Sequence, residues 1–468
     1  MDAVLLIDFG STYTKVTAVD IDRHRLLGCA AAYTTVGTDV GEGLDCALGI
    51  LESQTGPLEY SRRLACSSAA GGLRMVACGL VPELTAKAAS LASLGAGAKI
   101  IGLYSYNLTE DDTEEIAAKA PDILLLTGGT DGGNTECIIH NASMLAGGTC
   151  DFPIIVAGNR SCARQVMRIL ENRRAYLCEN VMPSLDKLNI EPARQKIREI
   201  FLERIVRAKG LSKAGELLDG ILMPTPAAVL AGAELLAKGC EGAPGIGELV
   251  AVDVGGATTD VFSIAAGAPS GVNVVYRGLP EPFAKRTVEG DIGMRYSVQG
   301  VAEAVGISRV AELAGVPEGT AKEYVDRLAA RTDALPENPT QKKLDFALAA
   351  LAIETATVRH AGSLEEVYTA AGRVYLQTGK DLTGVGRVLL TGGALLHTDR
   401  QAELAAYAMY NERYPMSLRP KKAELLVDEK YILAAMGLLS GHAPRAALSI
   451  LKSSNTSGEV LAGRGTSV

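Results

Sequence analysis

The sequence predicts an α/β protein with two related lobes, and two kinds of pattern support that class. Apolar runs end in small-residue turns at three distant places, Asp8 to Lys15, Asp253 to Asp260 and Thr391 to Ala394. In the first two places a second strand-like run follows the turn directly, so the two segments repeat one design. Between residues 98 and 178, short apolar runs alternate with helical patterns, which is typical of βαβ units and a parallel sheet.

The elements follow in order along the chain. Strands are predicted at 3–9, 14–20 and 26–33. Within the alternating block, strands are predicted at 99–104, 123–127 and 154–157, and helices at 110–119, 136–145 and 163–170. Farther on, a helix is predicted from Pro224 to Ala237, strands at 249–254, 259–265, 272–277 and 387–391, mostly helices from 291 to 378, and a last helix at 429–440.

These elements divide the chain into six parts. Residues 1–95 begin the first lobe, 96–180 are an inserted α/β subdomain, 181–242 are helical and complete the first lobe, 243–427 are the second lobe with a helical insertion, 428–451 are a connecting helix and C-terminal segment, and 452–468 are a Ser-, Thr- and Gly-rich flexible tail.

The two repeated turns carry the residue types that bind phosphate and magnesium. Glycine lets backbone N–H groups converge on phosphate oxygens, and Ser or Thr adds hydroxyls. A carboxylate at the strand end can hold Mg²⁺ directly or through water, because Mg²⁺ prefers oxygen ligands. We therefore predict that Asp8 and Asp253 hold the metal. The predicted phosphate-binding residues are Gly10, Ser11, Thr12, Gly255, Gly256 and Thr258.

Composition excludes several classes of function. Of 468 residues, 47% are hydrophobic and 21% charged, and the net charge is −8, so the chain is globular without a basic stripe for nucleic acid. The nine cysteines contain no Cys-x-x-Cys pair, which favours reduced thiols in a cytosol. No signal peptide or apolar run of membrane length is present. We expect a soluble cytoplasmic protein that binds neither nucleic acid nor membrane.

Five elements in this order resemble the actin, sugar-kinase and heat-shock-chaperone ATPase superfamily. Asp8 to Lys15 and Asp253 to Thr259 resemble its two phosphate motifs, and Thr391-Gly392-Gly393 resembles its adenosine motif. The segments that begin at Pro224 and Asp428 resemble its two connecting helices. Within the superfamily the chain is most similar to the accessory proteins of glutamate mutase, the GlmL/MutL-type family. The stretches that carry this similarity are 7–15, 126–134 and 288–293.

The resemblance implies a ribonuclease H-like fold in both lobes, and an ATPase that assists or reactivates an adenosylcobalamin-dependent mutase. ATP with Mg²⁺ would lie between the lobes, Lys15 would neutralise phosphate charge, and Gly392 and Gly393 would admit adenosine. Asp8 and Asp253 would also orient the attacking water. Loss of the γ-phosphate would release lobe closure and act on the partner mutase. Homodimerisation is left open.

Several alternatives remain at this stage. The same clamp could serve a small-molecule kinase or a filament-forming actin relative, and each glycine turn could be only a hairpin. Lys15 could be a surface strand residue, and Asp260 either a second metal-shell acid or an exposed strand residue. Glu289 and Asp291 are expected to open a helix as dipole partners and caps, with a role beside the nucleotide as the alternative. The segment from Gly128 to Asn134 is either an anion or partner site or a sharp turn with Asn134 as helix cap.

Overall fold

The structure is a computed structural model with side chains, and it divides into two compact units. Unit 1 contains Met1–Gly232, Gly278–Pro282 and Ala434–Ala447, and unit 2 contains Ala233–Arg277, Phe283–Leu433 and Leu448–Val468. The residues that the structure describes are 1–10, 13–34, 40–68, 73–148, 151–185, 187–208, 221–370, 372–393, 398, 400–454 and 456–463.

The strands are β1 (Ala3–Phe9), β2 (Tyr13–Asp20), β3 (Arg25–Tyr33), β4 (Arg62–Ser67), β5 (Leu73–Gly79), β6 (Ala98–Ser105), β7 (Ile123–Leu126), β8 (Ile154–Val156), β9 (Ala175–Leu177), β10 (Ile221–Pro224), β11 (Gly239–Cys240), β12 (Ala243–Pro244), β13 (Leu249–Val254), β14 (Thr259–Ile264), β15 (Val274–Tyr276), β16 (Ala284–Glu289), β17 (Ser363–Thr369), β18 (Gly372–Thr378), β19 (Arg387–Thr391), β20 (Lys422–Val427) and β21 (Thr456–Ala462).

The α-helices are α1 (Val40–Thr55), α2 (Lys87–Gly95), α3 (Glu110–Lys119), α4 (Glu136–Gly147), α5 (Ala163–Ile169), α6 (Glu191–Ala208), α7 (Thr225–Lys238), α8 (Val298–Val305), α9 (Ile307–Ala314), α10 (Glu318–Ala330), α11 (Pro339–His360), α12 (Gln401–Ala405), α13 (Leu433–Ser440) and α14 (Pro444–Ser454). A π-helical turn, Pro82–Ala86, precedes α2, and a 3₁₀ turn, Ala406–Ala408, follows α12.

The first sheet of unit 1 has the order β10-β4-β1-β2-β3. β2 pairs antiparallel with both β1 and β3, whereas β4 pairs parallel with β1 and β10 pairs parallel with β4. Every residue of β1 is buried. A strand that is covered on both faces must be apolar along its whole length, which explains why Ala3–Phe9 reads as a continuous apolar run that ends in one carboxylate.

The main sheet of unit 2 repeats this arrangement. Its order is β16-β14-β13-β19-β20-β21. β13, β14 and β16 are antiparallel, and β19 and β20 continue the sheet parallel to β13. The same spatial order therefore occurs in both units: β3-β2-β1-β4-β10 in unit 1 corresponds to β16-β14-β13-β19-β20 in unit 2. This strand order confirms the predicted α/β class with two ribonuclease H-like, actin-like lobes.

The second sheet of unit 1 is entirely parallel, in the order β6-β5-β7-β8-β9. This is the doubly wound order in which the first strand lies between the second and the third. The helices predicted within this block are present as α3, α4 and α5. α3 begins where expected because Thr109 and Asp112 cap it reciprocally. The sheet starts earlier than the expected boundary at residue 96, because β5 is one of its central strands.

Unit 2 carries the helical insertion, α8 to α11. The long helix α11 packs against α8 and α9 and lies on the sheet, so that one apolar core joins them. Residues 363–378, expected among helices, instead form β17 and β18. These strands pair as a hairpin and form a three-stranded sheet with β15, and this pairing satisfies their backbone groups.

Part of the flexible tail predicted at 452–468 is regular structure, while residues 455 and 464–468 lie outside the described residues. Residues 452–454 end α14, and β21 pairs antiparallel with β20. The polar composition suggested disorder, but β20 presents an open sheet edge whose backbone groups β21 satisfies. Among the described residues, no helix has both the length and the apolar character needed to cross a membrane.

Two helices of small residues meet within unit 1. Gly437 of α13 lies so close to α7 that a Cβ on it would be 1.8 Å from the carbonyl oxygen of Ala228. Because the obstacle is backbone, no side-chain rotation can relieve it. Glycine at 437 therefore sets the distance between these helix segments.

We predict that Gly437→Ala lowers the free energy of unfolding by about 3 kcal/mol, because the added methyl forces the helices apart. Urea denaturation followed by circular dichroism measures the change. The matched control is Gly441→Ala, since a Cβ at 441 meets no atom within 4 Å. Equal stability of the two variants would contradict the close packing.

Candidate functional site

The carboxylate of Asp8, in unit 1, is held by donors from three other elements. Asp8 is 5% exposed at the end of β1. Thr225, the first residue of α7, donates its hydroxyl to Oδ1 at 2.6 Å. The Cys66 thiol, from β4, approaches the same oxygen at 3.5 Å. Lys15 Nζ, from β2, lies 3.4 Å from Oδ2.

Sheet register produces this grouping. Asp8 lies opposite Lys15 on β2 and opposite Cys66 on β4. A buried carboxylate without such partners would cost several kcal/mol, and the ammonium and hydroxyl offset that cost. The Lys15 side chain is 24% exposed. It therefore pairs with Asp8 and also reaches solvent, where a phosphate could approach.

The turn after β1 brings the chain back tightly. Gly10 N–H donates to the carbonyl oxygen of Tyr13 at 3.1 Å. A Cβ on Gly10 would lie 2.5 Å from that oxygen, so this position excludes side chains. Ser11 and Thr12, the other two residues assigned to phosphate in this turn, lie outside the described residues.

Cys66 and Thr225 were not assigned a role from the sequence. Burial, and then the negative charge of Asp8, raise the pKa of the Cys66 thiol well above its usual range. Cys66 is therefore a neutral thiol that donates to Asp8. Thr225 is 217 residues from Asp8 in the chain, and only its position between two prolines marked it as a helix start.

The corresponding turn in unit 2 is closed by an equivalent backbone hydrogen bond. Gly255 N–H donates to the carbonyl oxygen of Thr258 at 2.9 Å. The carbonyl oxygens of Gly255 and Gly256 accept N–H bonds from residues 294 to 296, which fix the turn from behind. A Cβ on Gly256 would meet nothing closer than 3.8 Å, the Cβ of Arg295. The turn is therefore anchored by residues 294 to 296, and the missing side chain of Gly256 faces that same segment.

Asp260 is a buried ion-pair partner. It is 8% exposed, and Arg286 Nη2 lies 2.6 Å from its Oδ1. Its other oxygen, Oδ2, lies 3.2 Å from the hydroxyl of Thr258. The alternative of an exposed strand residue is therefore wrong, because β16 brings the guanidinium of Arg286 over this carboxylate.

The third glycine turn lies against the second. Gly392 has φ +108°, and a Cβ on it would lie 2.5 Å from Val254 O and 2.7 Å from Asp253 Oδ1. Gly393 is exposed, and a Cβ there would meet nothing within 4 Å. The two glycines therefore have different structural roles. Gly392 allows β19 to approach β13, and Gly393 leaves open space in front of the turn.

A short loop after β20 supports this turn. Asp428, 2% exposed, accepts the Thr391 hydroxyl at 3.2 Å and the backbone N–H of Leu433 at 3.0 Å. Tyr431 has φ +53°, uncommon for a bulky residue, and its hydroxyl lies 3.4 Å from Asp253 Oδ1. Neither Asp428 nor Tyr431 was assigned a site role from the sequence, since their contacts depend on sheet pairing.

The remaining sequence motifs form ordered structure. Asn134 Oδ1 accepts the N–H of Cys137 in the first turn of α4, and Asn159 and Asn180 bond the loop from Gly128 to Asn134. This geometry is that of a braced sharp turn. Whether it also binds a ligand stays a prediction.

Glu289 ends β16, and therefore does not open a helix as expected. Its carboxylate pairs with Arg359 at 2.6 Å. Burial raises the pKa of Glu289, and the guanidinium of Arg359 opposes that rise. Asp291 lies 3.5 Å from the same guanidinium.

The donor set fits a hydrated cation better than a fully protein-bound one. In the described part of the chain no three His, Cys, Asp or Glu side chains are grouped to hold a metal. Mg²⁺ keeps several waters and takes one or two carboxylates. Asp8 in unit 1 and Asp253 in unit 2 each offer a single carboxylate beside a glycine turn, which suits that chemistry.

We predict that Cys66 resists alkylation in the native protein, because its thiol is buried and its pKa is raised. Iodoacetamide at pH 8 should label the exposed Cys46 to completion before Cys66 is detectably modified. Peptide mass spectrometry gives both extents in one sample, and labelling in urea is the positive control. Equal native labelling would show that Cys66 does not donate to Asp8.

We predict that Gly392→Ala destabilises the protein by about 3 kcal/mol, since alanine would strain a positive φ and overlap the backbone of β13. Gly393→Ala should change the free energy of unfolding by less than about 0.5 kcal/mol. Urea denaturation measures both. The packing described for Gly392 is incorrect if the first variant is as stable as the second.

Comparison with known proteins adds the following. The model of the MutL protein family matches residues 4–455. Protein MutL from Clostridium tetanomorphum is 48% identical over 456 residues, which cover 97% of this chain and 99% of that protein.

Solved structures with similarity include xylulose kinase from Bifidobacterium adolescentis (13% identity, TM-score 0.33, 99% of this chain and 97% of that one). The activator of the 2-hydroxyisocaproyl-CoA dehydratase from Clostridium difficile with bound ADPNP is also similar (9% identity, TM-score 0.34, 96% of each chain). TM-scores this low carry no argument, so the fold assignment depends on the strand order above. The family match and the high identity over nearly the whole length are decisive, and this chain belongs to the MutL protein family.

Proposed function

We propose that this protein binds and hydrolyses ATP with Mg²⁺, and that the nucleotide state controls its action on an adenosylcobalamin-dependent mutase of the glutamate mutase type. The observation that carries the proposal is the repeated hairpin. In both units a central strand ends in a carboxylate, and a glycine turn closed by one backbone hydrogen bond follows it.

In unit 1 the arrangement supports a role in charge placement. The internal donors Thr225 and Cys66 both contact Oδ1 of Asp8, so Oδ2 is the oxygen directed toward Lys15. The ammonium of Lys15, 3.4 Å from Asp8 Oδ2, is close enough to stabilise that carboxylate. It also lies near the turn after β1, where it would attract phosphate. Lys15 would stabilise phosphate charge, and Asp8 would hold a metal-bound water.

In unit 2 the two glycine turns support nucleotide binding. A Cβ at Gly393 would meet nothing within 4 Å, and a Cβ at Gly256 would only touch Arg295 at 3.8 Å. Asp253 lies between these two glycine turns and contacts Tyr431. Asp253 would hold a hydrated cation, and Gly392 and Gly393 would admit the adenosine.

Mg²⁺, when bound, would screen phosphate charge and polarise the phosphoryl group. Lys15 would place a positive charge near the phosphates, and Asp8 and Asp253 would orient water. Phosphoryl transfer needs little beyond such positioning. ATP and ADP differ by the γ-phosphate that these groups would contact. Lobe closure, and with it the affinity for the mutase, would therefore depend on hydrolysis.

We predict that Asp8→Asn lowers the rate of Mg²⁺-dependent ATP hydrolysis on the order of 100-fold, because the charge that orients water is lost while the shape of the side chain is kept. The measurement is ADP release, alone and with a glutamate mutase inactivated by damaged cobalamin. Asp45→Asn, an exposed position on α1, is the matched control and should behave as the unmodified protein.

The outcomes separate the two parts of the proposal. Hydrolysis that the mutase stimulates, together with recovery of mutase activity, supports both parts. Hydrolysis indifferent to the mutase would refute the partner role and leave the ATPase. Absence of ATP binding in the unmodified protein would refute the nucleotide site itself.

A further inference from the structure

The hydroxyl of Thr258, in the turn after β13, lies beside the carboxylate of Asp260, which is paired with Arg286. β13 and β14 pair so that Asp253 lies directly opposite Asp260. Two facing carboxylates would repel each other. Arg286 removes that conflict, because its Nε lies 2.7 Å and its Nη2 2.6 Å from Asp260 Oδ1. The side chains of Arg286 and Asp260 are only 3% and 11% exposed, so water screens this pair weakly.

The ion pair fixes the direction of the next hydrogen bond. An aspartate engaged by two N–H groups of an arginine at these distances is a carboxylate, and a carboxylate can only accept. The hydroxyl of Thr258, 3.2 Å from Asp260 Oδ2, must therefore be the donor. A hydroxyl carries one hydrogen, so Thr258 Oγ1 then offers only lone pairs to anything in front of the turn.

A phosphate oxygen of ATP also has no hydrogen to give. It needs donors, and a hydroxyl whose hydrogen is committed to Asp260 cannot supply one. A water molecule, in contrast, can donate to Thr258 Oγ1. The Arg286–Asp260 pair therefore selects water over phosphate at this position, which differs from the phosphate contact expected for Thr258 from the sequence.

We propose that Thr258 Oγ1, oriented by Asp260 and Arg286, accepts a hydrogen bond from a water molecule at the nucleotide site and does not bind a phosphate oxygen. This inference depends on the proposed ATPase function. Asp260 and Arg286 are positioning residues, because they act through Thr258. The water is either one bound to Mg²⁺ or the attacking water. Loss of the hydroxyl would change the ATP affinity in the first case and the rate of ADP formation in the second.

The test compares Thr258→Val, which keeps the shape and removes the hydroxyl, with Thr258→Ser, which keeps the hydroxyl. Titration calorimetry gives the ATP affinity in excess Mg²⁺ and again in EDTA. If the water is bound to Mg²⁺, Thr258→Val weakens binding about tenfold in Mg²⁺. The same variant should stay within about twofold in EDTA, and Thr258→Ser should preserve the metal-dependent affinity.

The attacking water would give a different result. Both affinities of Thr258→Val would then be unchanged, while the single-turnover rate of ADP formation falls about tenfold and Thr258→Ser restores it. Either result supports the proposal. An equal loss of affinity in Mg²⁺ and in EDTA would show a phosphate contact and overturn it, as would the absence of any effect.

A second variant tests the orienting role of Asp260. In Asp260→Asn the amide can donate to Thr258 Oγ1, which frees the hydroxyl hydrogen for a phosphate oxygen. ATP binding in EDTA should then become about threefold tighter, on the scale of a modest new hydrogen bond. An unchanged EDTA affinity in a folded Asp260→Asn protein would contradict the orienting role. Thermal melting establishes folding, and the Thr258 pair decides the proposal if this variant does not fold.

The unmodified protein distinguishes the two levels of failure. If it binds no ATP in either buffer, the proposed function is wrong and the inference fails with it. If it binds and hydrolyses ATP while Thr258→Val loses affinity equally in both buffers, only the assignment of Thr258 is wrong.

Discussion

The structure depends on the buried carboxylate of Asp8 at the end of a central strand. Leaving such a group without partners costs several kcal/mol, a large part of the 5–15 kcal/mol that stabilises a typical domain. Asp8 is therefore surrounded by donors from β2, β4 and the start of α7. Because β4 and β10 run parallel to β1, Cys66 and the start of α7 lie at the same end of the sheet as Asp8. The strand order therefore produces the grouping of donors around Asp8.

The two repeated hairpins share a backbone and differ in charge. Lys15 stands opposite Asp8, and the corresponding position opposite Asp253 is Asp260. A cation at one turn and an anion at the other give the turns different chemistry. In unit 1 the position carries the positive charge of Lys15, which pairs with Asp8. In unit 2 the anion is neutralised by Arg286 and acts on the hydroxyl of Thr258.

Close backbone approach explains much of the glycine-rich composition. A Cβ at Gly392, Gly293 or Gly437 would overlap the backbone of a neighbouring segment. Each of these glycines lets two segments meet without a side chain between them: two strand ends, a loop on the turn after β13, and two helices. Some of the 51 glycines are thus a consequence of close backbone packing.

The long, regular features were predictable because they depend on local pattern. α3 is found at its predicted residues, since its acidic first turn and its capping box act within a few residues. The two strand–turn–strand units were visible for the same reason. The predicted tail failed in the segment that forms β21, whose order depends on an open edge supplied by β20.

The sequence by itself determined the α/β class, the repeated hairpins and the carboxylates at their strand ends. The alternation of strand and helix patterns, the glycine turns and the apolar runs all depend on residues that are neighbours in the chain. Only the tertiary structure decided which groups hold those carboxylates. Thr225 reaches Asp8 across 217 residues, and Arg286 reaches Asp260 from another strand. Hydrogen bonds and ion pairs act over a few ångströms in space, and no local pattern records which distant residues the sheet will bring within that range.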